Sequence, residues 1–197
     1  MSAQARATSP TARYKETIVS RLLAVLALIV PVLLLPAAGQ AQTLDPENTL
    51  YMDLKDGRVT IRLRPDLAPA HVERIKMLTR KGFYDGLTFH RVIDGFMAQT
   101  GDPTGTGMGG SEEPDLKAEF SPRPFERGVL GMARAQSPDS ANSQFFIMFA
   151  AAPWLTRNYT VWGEVVDGME FIDMIAKGEP PANPDRILKM QVAADAG

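Results

Sequence analysis

Residues 49 to 63 alternate so strictly that they leave the chain little choice but a β-hairpin. In Thr49–Lys55, Leu50, Met52 and Leu54 fall on one side, and Tyr51, Asp53 and Lys55 on the other. Val59, Ile61 and Leu63 resume the pattern after Asp56-Gly57, a dipeptide suited to a tight turn. Strand side chains alternate between faces, so this hairpin carries one apolar face that the rest of the chain must cover. Further β-prone runs are Thr88–Ile93, Phe96–Thr100, Val129–Arg134, Gln144–Phe149, Tyr159–Val166 and Ile187–Val192. Only two stretches have helical spacing. Val72, Ile75, Leu78 and Thr79 follow Pro69, which predicts a helix over 69–81 stopped by Gly82. Met169, Ile172, Ile175 and Ala176 predict a second, short helix ending at Gly178. His71, on the first turn of the longer helix, is expected to be a solvated helix residue. Many short strands, two helices and one core make the chain mainly β; pattern alone leaves closed barrel and sandwich both open. There is no internal repeat and no second folded domain.

The first forty-odd residues differ in kind. Arg6, Arg13, Lys15 and Arg21 precede an apolar run from Leu22 to Leu35, followed by Pro36, then small residues at Gly39 and Ala41. This is the pattern of a signal peptide over residues 1–41, cut after Ala41. The competing reading is an uncleaved membrane anchor. It is disfavoured because a spanning helix needs about 20 apolar residues, and this run is shorter and contains Pro31. Either way the folded part is expected outside the cytoplasm, periplasmic or secreted. Residues 42–47 then serve as a linker, 48–193 as the folded domain and 194–197 as a tail. With no cysteine, disulfide and thiolate-metal chemistry are excluded, and two histidines give little basis for an imidazole metal site. A formal net charge of −2 leaves no basic footprint for nucleic acid.

The chemistry concentrates in Phe89–Asp102. Asp94-Gly95 is a tight-turn pair between two β-prone runs. Strand parity puts Met97 and Gln99 on one face, with Arg91 able to project beside them from the neighbouring strand, while His90 and Val92 point away. A fixed cation and an amide at the edge of an apolar patch suit a neutral, partly apolar ligand with a polar backbone. Just beyond, Gly105-x-Gly107-x-x-Gly110 has the form of a dinucleotide fingerprint. That motif needs a helix after it, and here Ser111-Glu112-Glu113-Pro114-Asp115 follows, so the glycines are expected to form a surface loop. Later segments add small Ala133 and Ala135 on one strand face, Gln144 with Phe146 on another, and an aromatic loop at Pro153-Trp154-Leu155.

These residues carry a resemblance. Phe89-His90-Arg91-Val92-Ile93, Gly95-Phe96-Met97-Ala98-Gln99, Gly101-Asp102, Gly105-Thr106-Gly107, Gly131-Met132-Ala133 and Asn142-Ser143-Gln144-Phe145-Phe146-Ile147 resemble the cyclophilins in order and spacing. The likeness covers roughly residues 48–193, and Pro114–Phe120 resembles the bacterial branch. The resemblance implies a peptidyl-prolyl cis-trans isomerase with an eight-stranded antiparallel closed β-barrel capped by two helices. It implies that Arg91 is catalytic and that Phe96, Met97, Phe146 and Leu155 take the proline ring. It also implies that Gln99 contacts the substrate backbone and that Ala133, Gln144 and Trp154 form the surrounding groove, with Arg134 binding peptide through its main chain. Ala135 and Tyr159 complete the expected substrate-binding set. No cofactor or metal is implied. The implied partners are proline-containing unfolded or flexible polypeptides, and cyclosporin-type macrocycles through Trp154. Three positions depart from the pattern: Thr100 replaces a glycine, Arg134 an asparagine, and Tyr159 a histidine of many eukaryotic members.

The chemistry fits these residue types. An X-Pro amide rotates over a barrier of about 18–20 kcal/mol because resonance must be broken. The twisted transition state regains a lone pair on the prolyl nitrogen. A donor that meets that lone pair, and an apolar pocket that disfavours the dipolar planar form, both bind the transition state selectively. A guanidinium, permanently charged and never consumed as an acid, suits the donor role. A groove of this kind could also hold proline segments without turnover, as a chaperone or scaffold, but binding alone needs no donor at the prolyl nitrogen. A hydrolase is disfavoured because His90, the only histidine near Arg91, faces the other way.

Overall fold

The structure, a computed structural model, describes residues 43–197. The segment expected to be an export signal lies outside the described residues. Eight strands form, β1 (Thr49–Asp53), β2 (Arg58–Leu63), β3 (Arg91–Ile93), β4 (Met97–Thr100), β5 (Val129–Met132), β6 (Phe145–Met148), β7 (Val161–Asp167) and β8 (Lys189–Val192). Helix α1 (Pro69–Arg80) lies between β2 and β3, and α2 (Met169–Asp173) between β7 and β8. The strands make one sheet in the order β3-β4-β6-β5-β7-β2-β1-β8, antiparallel at every pairing. The opening hairpin forms as its alternation demands: Leu50 pairs with Ile61 and Met52 with Val59, all four fully buried. The second helix is shorter than its periodicity implies, ending at Asp173, although Ile175 beyond it is still buried.

The closed barrel is corrected to a curled sheet whose ladder is open. Strands β3 and β8 are its two edges and do not pair with each other. Irregular backbone crosses the gap instead. Phe89 N–H donates to Asp185 O, Ile187 N–H to Leu87 O, and Val92 and Gly178 exchange both bonds at 2.8 Å. The physical reason lies in the segment facing β3: Pro180, Pro181 and Pro184 have no N–H to give to a ladder, so regular pairing cannot run through it.

Both faces of the sheet carry apolar layers. The inner layer holds Leu50, Val59, Ile61, Val92, Ala98, Phe145, Ile147 and Trp162, closed over by Val72, Ile75 and Leu78 of α1 and Ile172 of α2. A smaller layer on the opposite face holds Met97, Phe125, Val129, Phe146, Met148, Leu155 and Val161. Strand parity explains the division: along β6, Phe145 and Ile147 go inward, while Phe146 and Met148 go outward. The second layer is covered by the loops around 125 and 150–159 together with Leu67 and Phe96, and a hollow in it stays accessible.

His71 is not the solvated residue expected. It is fully buried, and its Nδ1 lies 2.6 Å from the carboxylate of Glu119. The same carboxylate accepts from the N–H groups of Ala70 and His71 at 3.1 Å each. Helix α1 has no side-chain cap of its own at Ala68, so a residue 48 positions away supplies the acceptor its first turn lacks.

Candidate active site

One row of the sheet builds the centre of the site. Arg91 on β3 pairs with Gln99 on β4, Gln99 with Phe146 on β6, and Phe146 with Gly131 on β5. Residues in one row share a face, so a cation, an amide and an aromatic ring line up across three neighbouring strands. The next row adds Ile93, Met97 and Met148. Gly131 is needed beneath the ring: a Cβ there would fall 2.5 Å from Phe146 Cζ and 2.6 Å from Phe125 Cε1. Phe125 in turn stacks on Phe146 at 5.7 Å, and Tyr159 meets it edge-on at 5.8 Å.

Above this row lies a cavity of about 480 Å³, in the range of small-ligand sites. Phe96, Met97, Phe146 and Leu155 give it apolar walls, with Ala133, Trp154 and Tyr159 around them and Arg91 and Gln99 at one side. Trp154 stands at the rim, 65% exposed, with its ring 6.1 Å from that of Phe96. Ala135 and Gln144 do not line this cavity. They belong to an adjoining one of about 420 Å³ beside the glycine loop, which shares Gln99, Ala133 and Arg134 with the first. Residues distant in sequence therefore form two adjoining hollows. Asn158, which sequence reading missed, also lines the first; a lone loop asparagine offers no pattern by which to find it.

A chain of polar groups runs along the edge. Arg91 Nε donates to Glu179 at 2.7 Å, and its Nη1 faces Gln99 Oε1 at a long 3.4 Å. Gln99 donates to Gln144 Oε1 at 2.9 Å, and Gln144 donates to the carbonyls of Gly107 and Gly109. The glycine loop is itself wound about Asp102. Burial works against the charge of this carboxylate, yet the Thr104 hydroxyl and the N–H groups of Thr104, Gly107 and Gly109 bond to it and hold its pKa down to about 2. His90 packs beneath the loop and lines a side hollow that Arg91 also borders; burial first of all pushes its pKa down, so the ring is neutral at pH 7.

The three unusual residues each have a place. Thr100 points to the inner side, is fully buried, and donates to Thr88 O at 2.9 Å, so it does not touch the groove. The Arg134 side chain reaches across the groove wall, donating to the carbonyls of Ala135, Gln136 and Asn158. Its guanidinium sits 4.6 Å from the Tyr159 ring centroid, a cation–π contact. Both Nη groups of that guanidinium are thus bonded to the protein's own backbone. Tyr159 is held as a wall by Arg134 on one side and Phe146 on the other.

The site is thus an accessible apolar hollow on the outer face of an antiparallel sheet, edged by a cation and an amide relay. A family model described as cyclophilin type peptidyl-prolyl cis-trans isomerase matches residues 49–192. The chain belongs to this family and is an isomerase. It is 53% identical over 175 residues to a Brucella suis protein named "Probable peptidyl-prolyl cis-trans isomerase", covering 81% of this chain and 89% of that one. It is 43% identical over 134 residues to peptidyl-prolyl cis-trans isomerase B of Bacillus subtilis, covering 67% and 93%. Among solved structures, the cyclophilin AquaCyp293 of Hirschia baltica matches with a TM-score of 0.72 at 29% identity over 77% of this chain and 76% of that one. A Cryptosporidium parvum cyclophilin, solved in the presence of the dipeptide Ala-Pro, matches with a TM-score of 0.68 at 29% identity over 73% and 98%.

Proposed function

We propose that this chain accelerates X-Pro rotation in polypeptides exported from the cytoplasm, with Arg91 as the donor to the prolyl nitrogen. The observation that carries the reading is the row Arg91–Gln99–Phe146 beside the hollow of Phe96, Met97 and Leu155. The proline ring enters the hollow. The Gln99 amide and the main chain at Arg134 hold the flanking peptide, with Ala133, Ala135 and Gln144 bordering its path. An Nη group of Arg91 meets the nitrogen lone pair as it forms. No bond is made or cut, so the residues need only position and stabilise. Export rests on the basic flank, apolar run and small-residue exit of residues 1–41. The exposed ring of Trp154 extends the reading to cyclosporin-type macrocycles, with Tyr159 setting their affinity.

The test is exchange NMR on a proline peptide. Arg91→Ala should lower kcat/KM by ~10²-fold or more, the scale of losing one transition-state donor, with the urea midpoint unchanged. Near-normal turnover by a folded Arg91→Ala chain would overturn the assignment.

A further inference from the structure

Glu179 lies outside the apolar hollow but takes one edge of the group that serves it. It sits on the segment that crosses the open edge of the sheet. Its predecessor Gly178 is locked to Val92 by two backbone bonds of 2.8 Å, and Val92 adjoins Arg91 in the chain. The Glu179 carboxylate is thus delivered beside Arg91 by backbone geometry. Its Oε2 accepts from Arg91 Nε at 2.7 Å. Glu179 lines a neighbouring hollow with His90 and Pro180, whereas Arg91 borders both. A guanidinium is planar, so fixing Nε fixes the plane and leaves the Nη edge as the donor turned to the substrate side.

We propose that Glu179 is a positioning residue for Arg91: it takes Nε, restrains the guanidinium against side-chain rotation and presents the Nη groups to the prolyl nitrogen. This inference rests on the reading of Arg91 as the donor. Glu179 does not line the hollow assigned to the proline ring, so its effect is expected on kcat rather than KM. Both side chains are about half-exposed. The effect is therefore modest and sensitive to salt.

Steady-state and NMR-exchange kinetics on the full chain provide the test. Glu179→Ala should lower kcat about two- to fivefold, the scale of an exposed ion pair, with KM unchanged. Glu179→Gln, which keeps an acceptor but no charge, should lie between. Raising ionic strength from about 0.01 M to about 1 M should bring the native chain toward Glu179→Ala and leave that variant flat. In an Arg91→Ala background, where nothing remains to position, adding Glu179→Ala should change nothing further. An unchanged or raised kcat in Glu179→Ala overturns the inference. So does an equal loss in both backgrounds, which marks a general structural defect. If Arg91→Ala itself keeps its turnover, the donor reading fails; if Arg91→Ala loses turnover and Glu179→Ala does not, only the role of Glu179 fails.

Discussion

A methyl group on Gly131 would sit 2.5 Å from Phe146 Cζ, closer than carbon atoms tolerate, and Phe125 blocks retreat on the other side. The ring of Phe146 would have to move into the hollow it lines. Gly131→Ala is therefore expected to cost about 1–3 kcal/mol of stability through overpacking. It should also lower kcat/KM roughly tenfold, the factor carried by about 1.4 kcal/mol, mainly through KM. Urea unfolding and steady-state kinetics on the same preparation check both; intact KM would show that the ring stays in place. At this scale the sequence was informative where strand parity applied. Met97 and Gln99 emerged as one face because residues two apart in a strand must share it, with Arg91 able to project beside them, and the structure pairs Arg91 with Gln99. The roles of Thr100 and Arg134 were not legible, since each is fixed by carbonyl groups from other segments: Thr88 for the first, Asn158 for the second.

Helix α1 shows the same contrast at the level of an element. Its periodicity placed it to within a residue, over Pro69–Arg80, and its apolar stripe is the one buried. Its N-terminal acceptor, Glu119, lies in an irregular segment that no local pattern connects to it. The consequence is a pH dependence. Burial lowers the pKa of His71 in the folded chain despite the Glu119 carboxylate beside it. The unfolded chain then takes up a proton first as pH falls through about 6.5, and stability drops below that point. Burial of His90 acts with the same sign. Each ring contributes a slope of at most about 1.4 kcal/mol per pH unit. Stability measured by urea unfolding should decline from pH 7 to pH 5.5, and His71→Gln should flatten part of that decline. A profile as steep in the variant as in the native chain would remove His71 from the account.

Across the whole molecule, surface charge and buried area contribute unequally. Glu47 pairs with Lys76 and Arg80, and Arg80 with Asp195, so a network joins the first turn of the described chain, α1 and the last turn. The Arg80–Asp195 pair is exposed on both sides, and exposed pairs stabilise little. Removing residues 194–197 should leave the urea midpoint essentially unchanged, whereas Met190→Ala on edge strand β8, where the side chain is 2% exposed, should cost about 2–5 kcal/mol. A large loss on truncation would show that the terminal network, not the buried edge, holds β8 against β1.

Alternation and turn pairs alone establish that the chain is mainly β, where its hairpins turn, which strand faces are apolar, and that an amide shares a face with soft side chains within reach of an arginine. These follow from two- and three-residue periodicities, which are local. Long-range packing sets the rest: the ladder stays open between β3 and β8, one sheet face forms the main core while the other keeps an accessible layer, and Glu179 meets Arg91. Each depends on which distant segments lie side by side. A glutamate 88 residues along the chain has no periodic relation to the arginine it orients; the backbone bonds between Val92 and Gly178 supply that relation.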